Sequence, residues 1–319
     1  MLVNPAYTGY YSGKIRVGGH ASFMQVDTAS MLHTNLSVEL RSNYDIADPL
    51  PRSYTAVGLN FYRYGHASSA LSAMFPSLNL AYHTFMDRRR RHGISVGGQA
   101  TYALGTYDAT SFGGFKKVTT EISGGGFVDK KPGTSLTSSS SYIDFSVGGL
   151  YSYRTREFDL EFGLSMFHLF YPPTDIFKED KEHKQRHRGI ASLNVSFELN
   201  QTKKLSFKSL YRQDGLYWLS KSTNDPTNEY EIASWLGLEL KSMPLQEKDL
   251  ILNYGIFTRN IKTFIPVVEA DYKRKYILRA TYEFPINSES FGAYRIRMAE
   301  LALVVFFNPS GKIVPFTED

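Results

Sequence analysis

Cysteine is absent from all 319 residues. A disulfide framework and thiolate metal sites are therefore excluded, while the redox compartment stays open. Long apolar runs are missing too. The longest, LALVVFF from Leu301 to Phe307, is far short of the roughly 20 residues a membrane-crossing helix needs. The mean hydropathy of −0.29 agrees, but neither observation touches a barrel, whose membrane signal is diluted by alternation. Tryptophan occurs only as Trp218 and Trp235, and the net charge of +5 offers little to attract nucleic acid or anionic lipid. The opening MLVNPAYTG has no basic region followed by an apolar one, so no signal peptide is read in this chain. An exported protein needs one, so export implies a processed or trimmed chain.

Aromatics are plentiful, with 22 Tyr, 22 Phe and 25 Gly, a composition that leans towards strands and tight turns. The most telling stretch runs from Tyr142 to Phe170. Ile143, Phe145, Val147, Gly149, Tyr151 and Tyr153 alternate with Tyr142, Asp144, Ser146, Gly148, Leu150 and Ser152. After Arg154-Thr155-Arg156 the alternation resumes, with Phe158, Leu160, Phe162, Leu164 and Met166 opposing Glu157, Asp159, Glu161, Gly163 and Ser165. Side chains on a strand point to opposite faces with period two. This is a β-hairpin with one greasy and one polar face, its arms each about ten residues long, as a tilted membrane-crossing strand requires.

Similar segments recur: Ile15 to Val26, Leu32 to Arg41, and residues 54–63, 77–85, 93–103, 189–199, 204–212, 230–241, 249–259, 263–272, 276–284 and 296–307. With the hairpin they make about fourteen strands, an even number that suits a closed up-and-down barrel. From the fourth onward the even-numbered connections are short and often basic: Met86 to His92, Arg154 to Arg156, Asn200 to Lys203, Ser242 to Lys248, Lys273 to Lys275. Most odd ones are long: Leu104 to Ser141, Leu169 to Arg188, Gln213 to Glu229, Pro285 to Arg295. Ser42 to Ser53 is a long exception, and those near Thr28 and Asn260 are short ones. Short turns on one rim and long loops on the other mark an outer-membrane barrel; a Greek-key sandwich does not sort its loops by parity. The expected architecture is all-β, a transmembrane antiparallel barrel forming one domain over 1–319, with an N-terminal segment 1–13, the barrel 14–307 and a tail 308–319. The Gly-, Ser- and Thr-rich stretch Leu104 to Ser141 is expected to be a mobile surface excursion.

Chemistry-bearing residues have plain structural readings. His83 and His168 are placed in strands. His183 and His187 have the i, i+4 spacing of a zinc pair on a helix, but their dense mixed-charge run reads as solvated, and no metal or cofactor is expected. Asp159 and Glu161 resemble a hydrolytic carboxylate pair, yet in a hydrated lumen they would be neutralised by neighbours. No GxSxG elbow is present, and no enzymatic activity or small-molecule substrate is expected. Arg88-Arg89-Arg90-Arg91 sits at a short-turn position, able to meet an acidic partner or phosphate, or merely to keep a turn soluble. No nucleic-acid recognition fold surrounds it. Tyr10, Tyr11, Tyr82, Tyr102, Tyr151, Tyr153, Tyr171, Tyr254 and Tyr276 are candidates for an aromatic girdle.

The opening Asn4-Pro5-Ala6-Tyr7-Thr8-Gly9 resembles the NPAxxG signature of the PorP/SprF family, outer-membrane barrels of the type IX secretion and gliding machinery of Bacteroidota. FGLSMFHLFYPP is similar to that family's G-x-S-x-x-H-L-x-x-P, here Gly163, Ser165, His168, Leu169 and Pro172. Tyr254-Gly255 with Arg259, Tyr282-Glu283 where Tyr-Asp is expected, and Ala299-Glu300-Leu301 continue the likeness across nearly the whole chain. The first strand departs from it, carrying His20-Ala21-Ser22-Phe23 in place of an aromatic Arg-x-Gln-Trp-like segment. The resemblance implies a non-enzymatic outer-membrane barrel that docks type IX secretion proteins, or anchors or exports an adhesin through the adhesin's C-terminal domain. Membrane lipid surrounds it, and the signature residues are its possible partner contacts. A passive channel or hydrophobic-solute transporter of similar strand number is the alternative. Read from the residues alone, Asn-Pro favours a turn or extended start, Gly148, Gly149 and Gly163 permit close approach of strands or a plug, and Pro172 and Pro173 end pairing.

Overall fold

The computed structural model describes residues 3–11, 13–26, 29–42, 52–66, 71–108, 137–172, 186–200, 203–215, 231–242, 250–286 and 296–307. A short 3₁₀ turn, Pro5–Tyr7, precedes fourteen strands. They are β1 (Ile15–Val26), β2 (Ala29–Arg41), β3 (Ser53–His66), β4 (Leu71–Phe85), β5 (His92–Asp108), β6 (Thr137–Arg154) and β7 (Phe158–Phe167). There follow β8 (Arg188–Asn200), β9 (Lys203–Asp214), β10 (Glu231–Ser242), β11 (Leu250–Arg259), β12 (Thr263–Tyr272), β13 (Tyr276–Pro285) and β14 (Ile296–Phe307). Each strand pairs with its sequence neighbours, and β14 pairs antiparallel with β1 from Ile15↔Phe307 to Val26↔Ile296. The sheet closes on itself, which removes the unpaired edges that an open sheet would carry.

Exposure decides which way the two faces point. Leu36, Leu59 and Ile143 are 62%, 61% and 60% exposed on the outer wall, whereas Glu39 and Arg41 are each 1% exposed inside. A water-soluble sandwich would reverse this arrangement. With hydrocarbon outside, the order makes sense: leucine meets lipid, and the backbone polar groups of the spanning strands are paired along the closed ladder, with short interruptions. The protein is a transmembrane barrel.

The alternation places the strands well, but three boundaries move. β5 and β6 continue their pairing to Asp108↔Thr137, so Leu104–Asp108 and Ser138–Ser141 belong to the wall and not to a loop; residues 109–136 lie outside the described ones. β4 starts at Leu71 and runs through Pro76, which pairs with Phe61 of β3 while the β4–β5 pairing is interrupted between Met74↔Leu104 and Ser77↔Thr101 and resumes in the same register. A proline cannot donate to a ladder, and the broken pairing with β5 accommodates it. Finally, His168 lies just past the end of β7 at φ 61°, not within a strand.

Connections after even-numbered strands share one rim with the start of β1 and the end of β14. Those after odd-numbered strands form the other rim. The first is called the short-turn rim below, the second the long-loop rim.

Candidate functional site

The N-terminal residues do not lie outside the barrel; they fold back into its lumen. Asn4 caps the 3₁₀ turn, accepting at Oδ1 from the Ala6 N–H at 2.8 Å. Its Nδ2 donates to the carbonyls of Gly149 (2.9 Å) and Leu164 (3.2 Å) on β6 and β7. Both amide hydrogens and the amide oxygen are thus used, and the side chain is 1% exposed. An amide can be buried at this depth only when so satisfied.

The wall is shaped for the turn. Gly97 and Gly148 face each other across β5–β6. A Cβ at Gly97 would stand 2.5 Å from the Pro5 carbonyl carbon, and one at Gly148 would overlap the Asn4 side chain. A Cβ at Gly163 would meet Asn4 Nδ2 at 3.0 Å. Gly149 points outward and contributes its carbonyl alone. On the next strand Ser165 Oγ donates to the Val3 carbonyl at 2.6 Å.

Beyond the turn the chain descends towards the short-turn rim. His83 Nε2 donates to the Thr8 carbonyl and Nδ1 bonds Ser95 Oγ, each at 2.7 Å. The carbonyl can only accept, so this tautomer is fixed by its partners. Tyr54 stacks on the His83 ring at 4.5 Å. Gly9 has φ 76°, and a Cβ there would run into Ala56; only glycine combines that backbone with that proximity. Its N–H donates to Glu39 Oε2 at 2.7 Å, while Arg16 holds Oε1 of the same carboxylate. Tyr11 donates to the Glu39 carbonyl at 2.9 Å and its own carbonyl accepts from Arg41 at 2.6 Å. Burial pushes the Tyr7 phenol up to about 12, and raises Tyr10 and Tyr11 as well. Tyr10 and Tyr11 therefore line the interior and are not girdle residues, whereas Tyr82, Tyr102, Tyr171, Tyr254 and Tyr276 are exposed.

The opposite wall is a lattice of ion pairs. Glu239 is held by both Lys208 and Arg279, and Arg279 also reaches Glu269 at 3.3 Å. Lys208 and Arg279 side chains keep 34% and 30% of their surface, so this half of the interior is wetted while the seat is dry. The carboxylates Asp159 and Glu161 belong to the same kind of network, bonded to Lys204 and Arg154 at one and to Arg154 and Asn194 at the other. They face cations, not each other across a substrate gap.

The signature residues thus fall into groups. Asn4, Pro5, Ala6, Gly9, Gly163 and Ser165 converge on the seat. His168, Leu169 and Pro172 lie at the long-loop end of β7, where His168 Nδ1 bonds Asp144 at 3.0 Å and the Leu169 N–H donates to Phe145. His187 Nδ1 bonds the His168 carbonyl; His183 and Trp218 fall outside the described residues. Arg259 and Glu300 are on the far wall, Arg259 pairing with Glu283 at 2.8 Å and Glu300 accepting from Thr281 at 2.9 Å. Gly97, His83 and Ser192, whose Oγ lies 3.5 Å from the Tyr7 hydroxyl, have no counterpart among the sequence-chosen site residues. Only the Gly97-Gly98 doublet, matching Gly148-Gly149, advertised a close approach.

The family profile described as type IX secretion system membrane protein PorP/SprF matches residues 1–300. The chain belongs to the PorP/SprF family. None of the curated proteins matches it in sequence. Among solved structures it is similar to the toluene transporter TbuX of Ralstonia pickettii, with 10% identity and TM-score 0.55 over 96% of this chain and 93% of that one. A Pseudomonas aeruginosa FadL homologue gives 10% and 0.54 over 96% and 93%. The P. putida toluene transporter TodX gives 9% and 0.52 over the same shares. At such identities these barrels share with the PorP/SprF chain its fold alone.

Proposed function

We propose that this PorP/SprF barrel is a non-enzymatic scaffold in the outer membrane that docks type IX secretion components, or anchors or exports a surface adhesin. The observation that carries the reading is the seated N-terminal segment, bonded to β2, β4, β6 and β7 across the interior. A barrel stoppered by its own chain is a rigid membrane body whose rims are available to partners. Asn4, Gly9, Gly163 and Ser165 of the signature hold that segment in place, which explains their chemistry without a substrate. A transporter of hydrophobic solutes, as the names of the similar barrels suggest, needs a through-path, and this segment occupies one side of the interior.

Two measurements test the proposal. Deleting the gene should leave cargo unsecreted or adhesin off the cell surface; normal secretion and display sink it. Planar-bilayer recording of the purified protein should show no stable open conductance, and a persistent one favours the transporter.

A further inference from the structure

We infer that the short-turn rim carries an arginine arc that docks an acidic polypeptide segment of the secretion machinery; the inference rests on the scaffold reading and names the partner's chemistry. The arc is built from adjacent connections. The Phe85 N–H donates to the Arg52 carbonyl, and the Arg154 N–H donates to that of Arg91, so Arg52, the β4–β5 turn and the β6–β7 turn form one continuous edge. Along it Arg52, Arg88, Arg89, Arg91 and Arg156 are exposed.

The acids of these two turns offset only part of this charge. Asp87 is committed to its own turn, where Oδ1 accepts the His92 N–H at 2.9 Å and that bond holds its carboxyl below the usual range. Glu157 is the other acid of the two turns. Among the described residues Arg88, Arg89, Arg91 and Arg156 form no ion pair. Inside the lumen the contrast is sharp, because Arg16, Arg154, Arg259 and Arg279 each face a carboxylate. Clustered like charges repel, at a cost in stability. A turn needing only solubility is served by mixed charge, Asn or Gly.

The residue type points further. All five cations of the arc are arginine, whose planar fork binds a carboxylate through two parallel hydrogen bonds. The separate cationic turn Lys273-Arg274-Lys275 behaves differently: Lys273 and Lys275 lie over the rings of Tyr272 and Tyr276, each at 5.3 Å. Those exposed tyrosines mark the lipid boundary, where such lysines meet headgroups. The arginine arc instead borders the lumen mouth, where Arg154 donates to the Tyr10 hydroxyl at 3.2 Å. Carboxylates of a protein in the aqueous compartment fit that position.

Charge reversal in the full-length protein tests the arc. R88E/R89E/R91E should leave the amount of barrel and its heat-modifiable gel migration unchanged. The secretion components that co-purify with it in mild detergent should fall about tenfold or more. Salt raised to about 0.5 M should strip them from the wild type. R88K/R89K/R91K should retain an intermediate amount, and K273E/R274E/K275E nearly all. Undiminished co-purification with the arginine reversal overturns the arc and leaves the scaffold reading standing. So does an equal loss from the lysine-rich turn. Loss of bound phosphatidylglycerol from the reversal in lipid discs, counted by native mass spectrometry with co-purification intact, assigns the arc to headgroups and also overturns it. Should gene deletion spare secretion, the scaffold reading fails separately. Binding of a labelled octaglutamate peptide in phosphatidylcholine discs then decides the arc: loss on reversal upholds it, no binding ends it.

Discussion

Asn4 and Leu164 are 160 positions apart in sequence, and the Asn4 Nδ2 lies 3.2 Å from the Leu164 carbonyl oxygen. With the bonds to Gly149 and Ala6, one side chain ties the first residues to the middle of the chain. At about 1 kcal/mol for each neutral hydrogen bond, Asn4→Ala should weaken the seating by about 2–3 kcal/mol. Amide exchange over residues 3–11 reads this directly; protection should fall by about 30-fold or more, with the barrel strands unchanged. Unaltered protection would mean that the Asn4 bonds contribute little.

The glycine seat predicts a clean displacement. Because the chain has no cysteine, an Ala6→Cys variant carries a single thiol. It should be inert to maleimide, since Ala6 is 0% exposed. Adding Gly148→Val places methyl groups where the Asn4 side chain stands, and labelling should then become rapid. Slow labelling in the double variant would show that the wall yields instead of the segment.

Alkali should release the segment as well. The ordinary phenol value is 10.0 and the seated Tyr7 lies at about 12. A folded value raised above the unfolded one gives stability that is complete below pH 10 and is lost as pH climbs through about 12. Ala6→Cys labelling should rise across that window, and Tyr7→Phe should shift the rise to higher pH. Equal profiles with and without Tyr7 would remove ionisation of this residue as the cause.

The orientation of the wall is open to spectroscopy. Spin labels at Phe145, Leu160 and Leu164 should be accessible to oxygen and shielded from a nickel chelate in lipid vesicles. Labels that prove wet would contradict the membrane assignment.

Arg259 and Glu283 test the far wall. Glu283 is 2% exposed and pairs with Arg259 at 2.8 Å. Arg259→Leu should destabilise the barrel by about 3 kcal/mol by leaving a buried carboxylate without that partner, and Arg259→Leu with Glu283→Leu should recover most of the loss. Urea unfolding in detergent measures both, and equal stability of the single and double variants would dismiss the pair as a structural element.

Much of this fold was legible because barrel physics writes itself locally. Period-two alternation located all fourteen strands, and connection parity separated the rims. The misses share a cause, which is that long-range pairing overrides local signals. Ser138–Ser141 look like loop composition but are paired by β5, and Pro76 looks like a strand stop but is carried by β3. His168 continues an alternating run, yet the wall ends one residue earlier. For the site, the family motifs supplied the residues without their arrangement. Asn-Pro reads as a turn anywhere; that it turns inward depends on Gly97, Gly148 and Glu39, which no local pattern links to position 4. Tyr10 and Tyr11 mislead for the same reason, being aromatic near a strand end and facing the wrong solvent.

Gly13 and Lys14 join the seated segment to β1, where the Lys14 N–H bonds the Phe307 carbonyl at 3.2 Å. The leash is short, and the strand it pulls on is the one against which β14 zips the ring shut. Any force that drags the first residues from their berth is thus delivered to the closing seam. A tug on the start of the chain is felt at that seam, whereas the segment's spontaneous release leaves the seam unloaded.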